Sequence, residues 1–294
     1  VKTRSVIYLG INSALIAMGH ILQKIVLNHG VDRFVFAFLR ITMGFVVISL
    51  LLLAQKQHPV IVVKKNIRHF FVLGVCFSGC GILLKLWGLS HTTATNAAFI
   101  MSLSSVAMVI FAYFFLKEKA PKRFYAVVTM MIAGVYLVTT GGKQLLPQIG
   151  DIIIFFLAFL IGFMQVYGKK VLETLTVIQT AFGRSFLGMI FLGVLVPIAA
   201  PHGFSTIPNL PVLLLVLANG IILGSCIILF YKALQIEGAS NTGMFALLVP
   251  VLTAVLGYIF LAEMLNAYQI IGGVIILTGS YFISKLKISP TPPP

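Results

Sequence analysis

Residues 84–101, LKLWGLSHTTATNAAFIM, return as residues 229–246, LFYKALQIEGASNTGMFA. An offset of 145 residues sets Leu89 on Leu234, Ala94 on Ala239 and Asn96 on Asn241. It also carries Glu118 onto Glu263 and Gly134 onto Gly279. A period of this length in a chain of 294 residues means two halves built on one plan. Each copy joins apolar stretches too long for the core helices of a soluble domain. The duplicated object is therefore a membrane bundle, an architecture typical of secondary transporters.

Composition agrees. Hydrophobic residues make up 60% of the chain and charged residues only 9%, where a soluble domain carries roughly a quarter. The net charge of +15 does not imply a nucleic-acid partner, because most basic residues sit in short connectors where topology explains them. Cys76, Cys80 and Cys226 all lie inside apolar stretches. They read as small buried fillers, with no disulfide scaffold and no metal site. The first apolar stretch reads as a retained span to about Asn28.

Ten spans are expected, near 5–28, 34–54, 69–89, 93–116, 123–141, 149–168, 177–199, 209–231, 240–262 and 266–284. Each approaches the roughly 20 residues that cross about 30 Å of hydrocarbon as a helix. The fold class is thus all-α integral membrane, in two five-helix repeats, 1–145 and 146–288. A disordered tail, 289–294, is expected to follow. With the N-terminus inside, the inner segments hold fifteen basic residues and the outer ones only Arg33 and Lys143. That asymmetry puts both termini in the cytoplasm. Five spans per half is an odd number, so the two repeats enter the membrane with inverted topology.

The doubled pattern resembles the EamA-like members of the drug/metabolite transporter superfamily. The resemblance rests on Lys24 with Arg40, on Ala94-x-Asn96, on Ala239-x-Asn241 with Pro250, on Glu118 and Glu263, and on Gly134 and Gly279. It implies export, or less often import, of small metabolites such as amino acids across the plasma (inner) membrane. Related branches carry nucleotide-linked and phosphorylated sugars. Two positions depart from the pattern: Met18-Gly19-His20 replaces a tryptophan beside glycine, and Pro250 has Ser105 as its equivalent.

Charges inside spans are costly unless paired, watered or snorkelled. Lys24, Arg40 and Lys85 fall toward the outer ends of their spans, and Lys169, Arg184 and Lys232 toward the inner ends. No span supplies a carboxylate partner, so cations facing a cavity favour a substrate bringing a carboxylate or phosphate. The alternative for all six is snorkelling to the headgroups. Arg40 and Lys85 are expected to share an outward-opening cavity and Arg184 to line an inward-opening counterpart.

The candidate substrate-binding set is Asn96, Asn241, Arg40, Lys85, Arg184, His20, Gln23 and Tyr231, with Asn96 and Asn241 the first pair. Each asparagine can equally serve a local helix turn or a helix–helix contact. His20 is either a proton carrier for coupling or a neutral packing residue. Pro250 is the candidate kink. Glu118 and Glu263 fall on opposite faces, so they form no acidic pair. Ligand clusters for a metal are absent, and so is a nucleotide-phosphate loop; no cofactor is expected, and the coupling ion is left open. The expected partners are a small molecule and membrane lipid, with no nucleic acid and the chain as monomer or homodimer. Flipping of a lipid headgroup is the competing reading.

Overall fold

The computed structural model describes residues 3–54, 66–116, 118–119, 121, 123–142, 145–246, 248–285 and 289–290. Side chains at 3–6, 8, 112, 116, 118–119, 233–246, 284 and 289–290 lie outside the description. In chain order the helices are α1 (Thr3–Asn28), α2 (Arg33–Ala54) and α3 (Ile67–Ser90). Next come α4, in two segments Ala94–Met101 and Ser104–Leu116, and α5 (Arg123–Thr140). The second half contains α6 (Ile149–Val171), α7 (Val177–Ala199) and α8 (Leu210–Ala246). It closes with α9 (Leu248–Leu261) and α10 (Ala267–Lys285). Eight of the described helices are long and apolar enough to cross a membrane, and Leu248–Leu261 and Ala267–Ile283 are shorter apolar helices. The protein is multi-pass. Of the expected tail, Ser289–Pro290 pair antiparallel with Glu118–Lys119, and 291–294 lie outside the described residues.

The two halves are interleaved. α1 packs on α8 and α9, and α6 packs correspondingly on α3 and α4. α2 packs on α8 and α7 on α3, while the like-numbered partners α2 with α7 and α5 with α10 face each other. Every extensive contact crosses between halves. One core cluster therefore draws Phe36 and Ile41 from α2, Leu86 from α3, Leu192 from α7 and Val216 from α8.

Small residues set these approaches. A Cβ on Gly220 would sit 2.7 Å from the Arg40 carbonyl oxygen, and one on Gly224 would sit 2.8 Å from that of Gly44. In the mirrored contact, a Cβ on Gly74 would sit 2.8 Å from the Arg184 carbonyl oxygen, and one on Gly188 would sit 2.8 Å from the Ser78 Cβ. Close approach of this kind lets backbones pack where lipid offers no hydrophobic drive.

Packing thus equates Gly74 with Gly220 and Ser78 with Gly224, an offset of 146, whereas Leu89 and Leu234 are 145 apart. α3 holds one more residue than its counterpart between these points. It takes up the excess as a π-helix, Val72–Gly81, the wider coil that accommodates such insertions.

Two boundaries differ from those expected. Spans eight and nine were expected to be separated by a connector, but α8 runs unbroken through 37 residues to Ala246. The stretch Lys232–Glu237 holds good helix formers and no proline, so nothing local stops the helix. Residue 247 lies outside the described residues; beyond it Pro250, inside α9, cannot donate to the carbonyl four residues earlier. The second difference is in α4, which breaks between Met101 and Ser104 without a proline. There the Ser102 hydroxyl donates to the Ala98 carbonyl oxygen (3.3 Å) and the Ser105 hydroxyl to that of Ser102 (2.8 Å). Pro250→Ala, which restores the missing backbone donor, is expected to stiffen α9 and to slow transport severalfold without loss of insertion. Initial rates at matched expression test this; an unchanged rate reduces Pro250 to packing.

Candidate functional site

Arg184 arrives from α7 fully provided for. Its Nε donates to the Ser78 hydroxyl at 2.6 Å, its Nη1 reaches the Tyr231 hydroxyl at 3.5 Å, and its Cζ lies 4.1 Å from the Phe77 ring centroid. The π-helical segment of α3 carries both Ser78 and Phe77 to it, and α8 carries Tyr231. A guanidinium with a hydroxyl on its fork and an aromatic face beneath is a satisfied buried cation.

Arg40, its repeat partner on α2, is equally buried but not satisfied. Its Nε has no hydrogen-bond partner among the described residues. The reason is one residue: Gly224 stands where Ser78 stands in the other half, so no hydroxyl is offered. Lys85, half-buried on α3, also lacks a hydrogen-bond or ion-pair partner among the described residues. His20 on α1 is buried with both ring nitrogens unpartnered. These three lie close enough that the charges of Lys85 and Arg40 act on His20, and those of Arg40 and Arg184 on each other. Buried polar groups are usually paired, so these unpartnered groups form the candidate site. Arg184 is near enough for its charge to act on Arg40.

Gln23 and Asn219 border the cluster. Both amides donate to the Gly19 carbonyl oxygen, at 2.7 and 3.0 Å, and both amide oxygens, like Asn12 Oδ1, are buried without a partner. Gly19 is covered by the same side chains. A Cβ there would already meet both amides and Ile222 at 3.5–3.8 Å.

Asn96 is placed elsewhere. Its Oδ1 accepts from Gln269 Nε2 at 3.1 Å, its N–H donates to the Thr93 hydroxyl at 3.0 Å, and its side chain reaches Asp151. Asp151 also accepts from the Thr92 hydroxyl. This network ties α4, α6 and α10 together, and none of its bonds reaches Arg40, Lys85 or Arg184. The side chain of Asn241 lies outside the described residues. Lys24 is spent on structure: its Nζ donates to the carbonyl oxygens of Leu89 (2.8 Å) and Thr92 (2.6 Å), closing the end of α3. Lys169 and Lys232 are exposed.

Sequence reasoning missed Ser78, Phe77 and Glu263. Ser78 was detectable as a lone hydroxyl amid VLGVCFSGCGILL. Glu263 reaches from beyond α9 to the start of α4. Its two carboxylate oxygens accept from the N–H groups of Ala94 (2.8 Å) and Thr95 (3.0 Å) and from the Thr95 hydroxyl (2.7 Å).

A model of the EamA-like transporter family matches residues 3–140 and again 148–285. An "uncharacterized transporter" of Archaeoglobus fulgidus is 30% identical over 230 residues, covering 72% of this chain and 74% of the relative. YyaM of Bacillus subtilis, likewise named an uncharacterized transporter, is 26% identical over 74% of this chain and 72% of its own. A "probable terminal-alkyne amino-acid exporter" of Streptantibioticus cattleyicolor is 24% identical over 79% of each chain. A crystal structure at 18% identity covers 93% of this chain and 96% of its own with a TM-score of 0.60, a likeness of fold.

Proposed function

This chain belongs to the EamA-like transporter family, and on that premise we propose that it moves a small anionic metabolite across the plasma membrane by alternating access. It is a transporter and not an enzyme. The substrate class we infer is an amino acid or related carboxylate, and the direction is export.

The unpaired cluster of Arg40, Lys85 and His20 carries this reading. A carboxylate entering it would give the Arg40 fork its missing acceptor and the Lys85 ammonium a counter-charge. Gln23, Asn219 and Asn12 supply amide oxygens for an ammonium group, the other end of an amino acid. The relative named as an amino-acid exporter supports the same class. Pro250 and Tyr231 stay in the proposal as gate and wall. Asn241 stays as a site residue because it is the repeat equivalent of Asn96, which the structure uses for packing.

Purified protein offered amino acids, dicarboxylates, sugar phosphates and lipid headgroup analogues should be stabilised thermally by the first class. Vesicles preloaded with that compound should exchange it. Stabilisation by sugar phosphates alone would move the substrate to a phosphate, and stabilisation by none would remove the anion reading.

We also take the two shorter helices as spans nine and ten, giving inverted five-helix halves with both termini cytoplasmic. The fifteen-to-two distribution of basic residues supports this orientation. Reporter fusions after Gln57, Lys119, Lys170 and Lys287 should report cytoplasm, and fusions after His29, Lys143 and Pro201 the outside. A C-terminus found outside would overturn the arrangement.

A further inference from the structure

Glu263 is a capping group supplied by the opposite half. It bonds two free N–H groups at the first turn of α4, which a helix always leaves without internal partners. Thr93 caps the same turn from within, its hydroxyl accepting from the Asn96 N–H. The chain reaches this position through a strained turn: Ala262 holds φ at 53°, a region residues with a side chain rarely adopt. Gly257 leaves the space, since a Cβ there would lie 2.9 Å from the Thr95 hydroxyl and 3.1 Å from the Glu263 carboxylate. The bond therefore fastens the end of α9 across the start of α4, at the membrane face where α3 ends.

The carboxylate and the helix start that it caps are written a second time. Ala94-Thr95-Asn96 has Ala239-Ser240-Asn241 as its equivalent, and Glu263 has Glu118. The second set is not engaged in the same way. Residues 239 and 240 lie inside α8, which continues to Ala246, so their N–H groups are already bonded within a helix and cannot be capped. α8 is 37 residues long, about 55 Å at 1.5 Å per residue, well beyond the roughly 30 Å of hydrocarbon. The first part of the expected ninth span therefore continues α8 here. Gly238, the weakest helix former just before Ala239, marks where that helix can break.

We propose that Glu263 and Glu118 are reciprocal latches: Glu263 closes one face by capping α4, and Glu118 closes the other by capping a ninth span begun at Ala239. The structure holds the first latch closed. In the opposite state α8 breaks at Gly238, Ala239 and Ser240 release their N–H groups to Glu118, and Glu263 lets go of Ala94 and Thr95. Inverted repeats place the two latches on opposite faces, so a single chain cannot satisfy both without sealing its path at both ends. The proposal rests on the alternating-access reading and extends it to named gates.

The test begins from a variant with Cys76, Cys80 and Cys226 changed to alanine. One engineered pair is Thr95→Cys with Glu263→Cys, and the other is Ser240→Cys with Glu118→Cys. Each pair alone should be bridged by a short bifunctional thiol reagent. In the variant carrying all four, mass spectrometry should find one bridge or the other in each molecule and never both. Two bridges in one molecule would overturn the proposal, as would failure of the 118–240 pair to bridge while both its thiols take a monofunctional label. A second measurement keeps the side chains at one latch intact. Glu263→Gln should raise labelling of Gln23→Cys by a membrane-impermeant maleimide added outside about tenfold, and Glu118→Gln should lower it. Equal shifts in one direction, or no shift from either, refute reciprocity. Exclusive bridging without thermal stabilisation by any anion would retain the latches and reject the substrate reading; stabilisation by amino acids with coexisting bridges would do the reverse.

Discussion

Arg40→Gln is expected to weaken binding of the transported anion roughly ten- to hundredfold, with little loss of fold stability. A charge-assisted bond contributes about 1.5–3 kcal/mol, and each 1.4 kcal/mol is a factor of ten in affinity. The effect falls on binding because Arg40 Nε has no acceptor to lose among the described residues. Lys85→Gln should follow the same pattern at about tenfold, since an ammonium is a point charge without the two-pronged geometry of arginine. Arg184→Gln should behave oppositely. It forfeits the Ser78 and Tyr231 bonds and the Phe77 ring, so it should cost about 2 kcal/mol of stability and leave affinity within a few-fold. Isothermal binding and thermal unfolding on the same three preparations separate these outcomes. Equal affinity losses for Arg40→Gln and Arg184→Gln would remove the distinction between the two arginines.

Gly220→Val is expected to destabilise the bundle by about 1–3 kcal/mol or more, the range for overfilling a packed interior. Even a Cβ would lie 2.5 Å from the Met43 Cβ and 2.7 Å from the Arg40 carbonyl oxygen. One contact is backbone, so α2 itself must move, and Arg40 moves with it. Gly10→Val is the control, because nothing lies within 4 Å of the position its Cβ would take. Detergent-solubilised unfolding curves should place Gly10→Val on the wild-type curve and Gly220→Val well below it. Coincident curves would show that α2 and α8 do not approach this closely.

Spans, repeats and the unpaired cations were legible because each depends on residue type along one helix. Arg40, Lys85 and His20 stood out as costly groups in apolar surroundings, and the structure keeps them together without partners. What the sequence hid depends on contacts between halves. Ser78 and Gly224 look equally ordinary in a row of small residues, yet they decide which arginine is satisfied. Asn96 was read as a binding group because its repeat equivalent is also asparagine; its bonds to Gln269 and Asp151, far along the chain, were not legible. The acidic residues at 118 and 263 were read as falling on opposite faces. Nothing local indicated that Glu263 would find its partners in the N–H groups of a helix some 170 residues earlier. The extra residue that α3 holds relative to α8 became visible only in the packing, where the π-helix takes it up.

Interleaving has a consequence for how the chain is made. A ribosome threads α1 to α5 into the bilayer before any of α6 to α10 exists, and the main partners of those first helices all come later. α1 must wait for α8 and α9, and the Gly134 face of α5 must wait for Gly272 on α10. The nascent first half is therefore an open set of helices in lipid, held by few contacts of its own and exposed to pairing with another nascent copy. Two fragments translated separately, divided between Gly142 and Ile149, should assemble in the membrane, because almost all the adhesive surface lies between them. Either fragment alone should be cleared by membrane quality control.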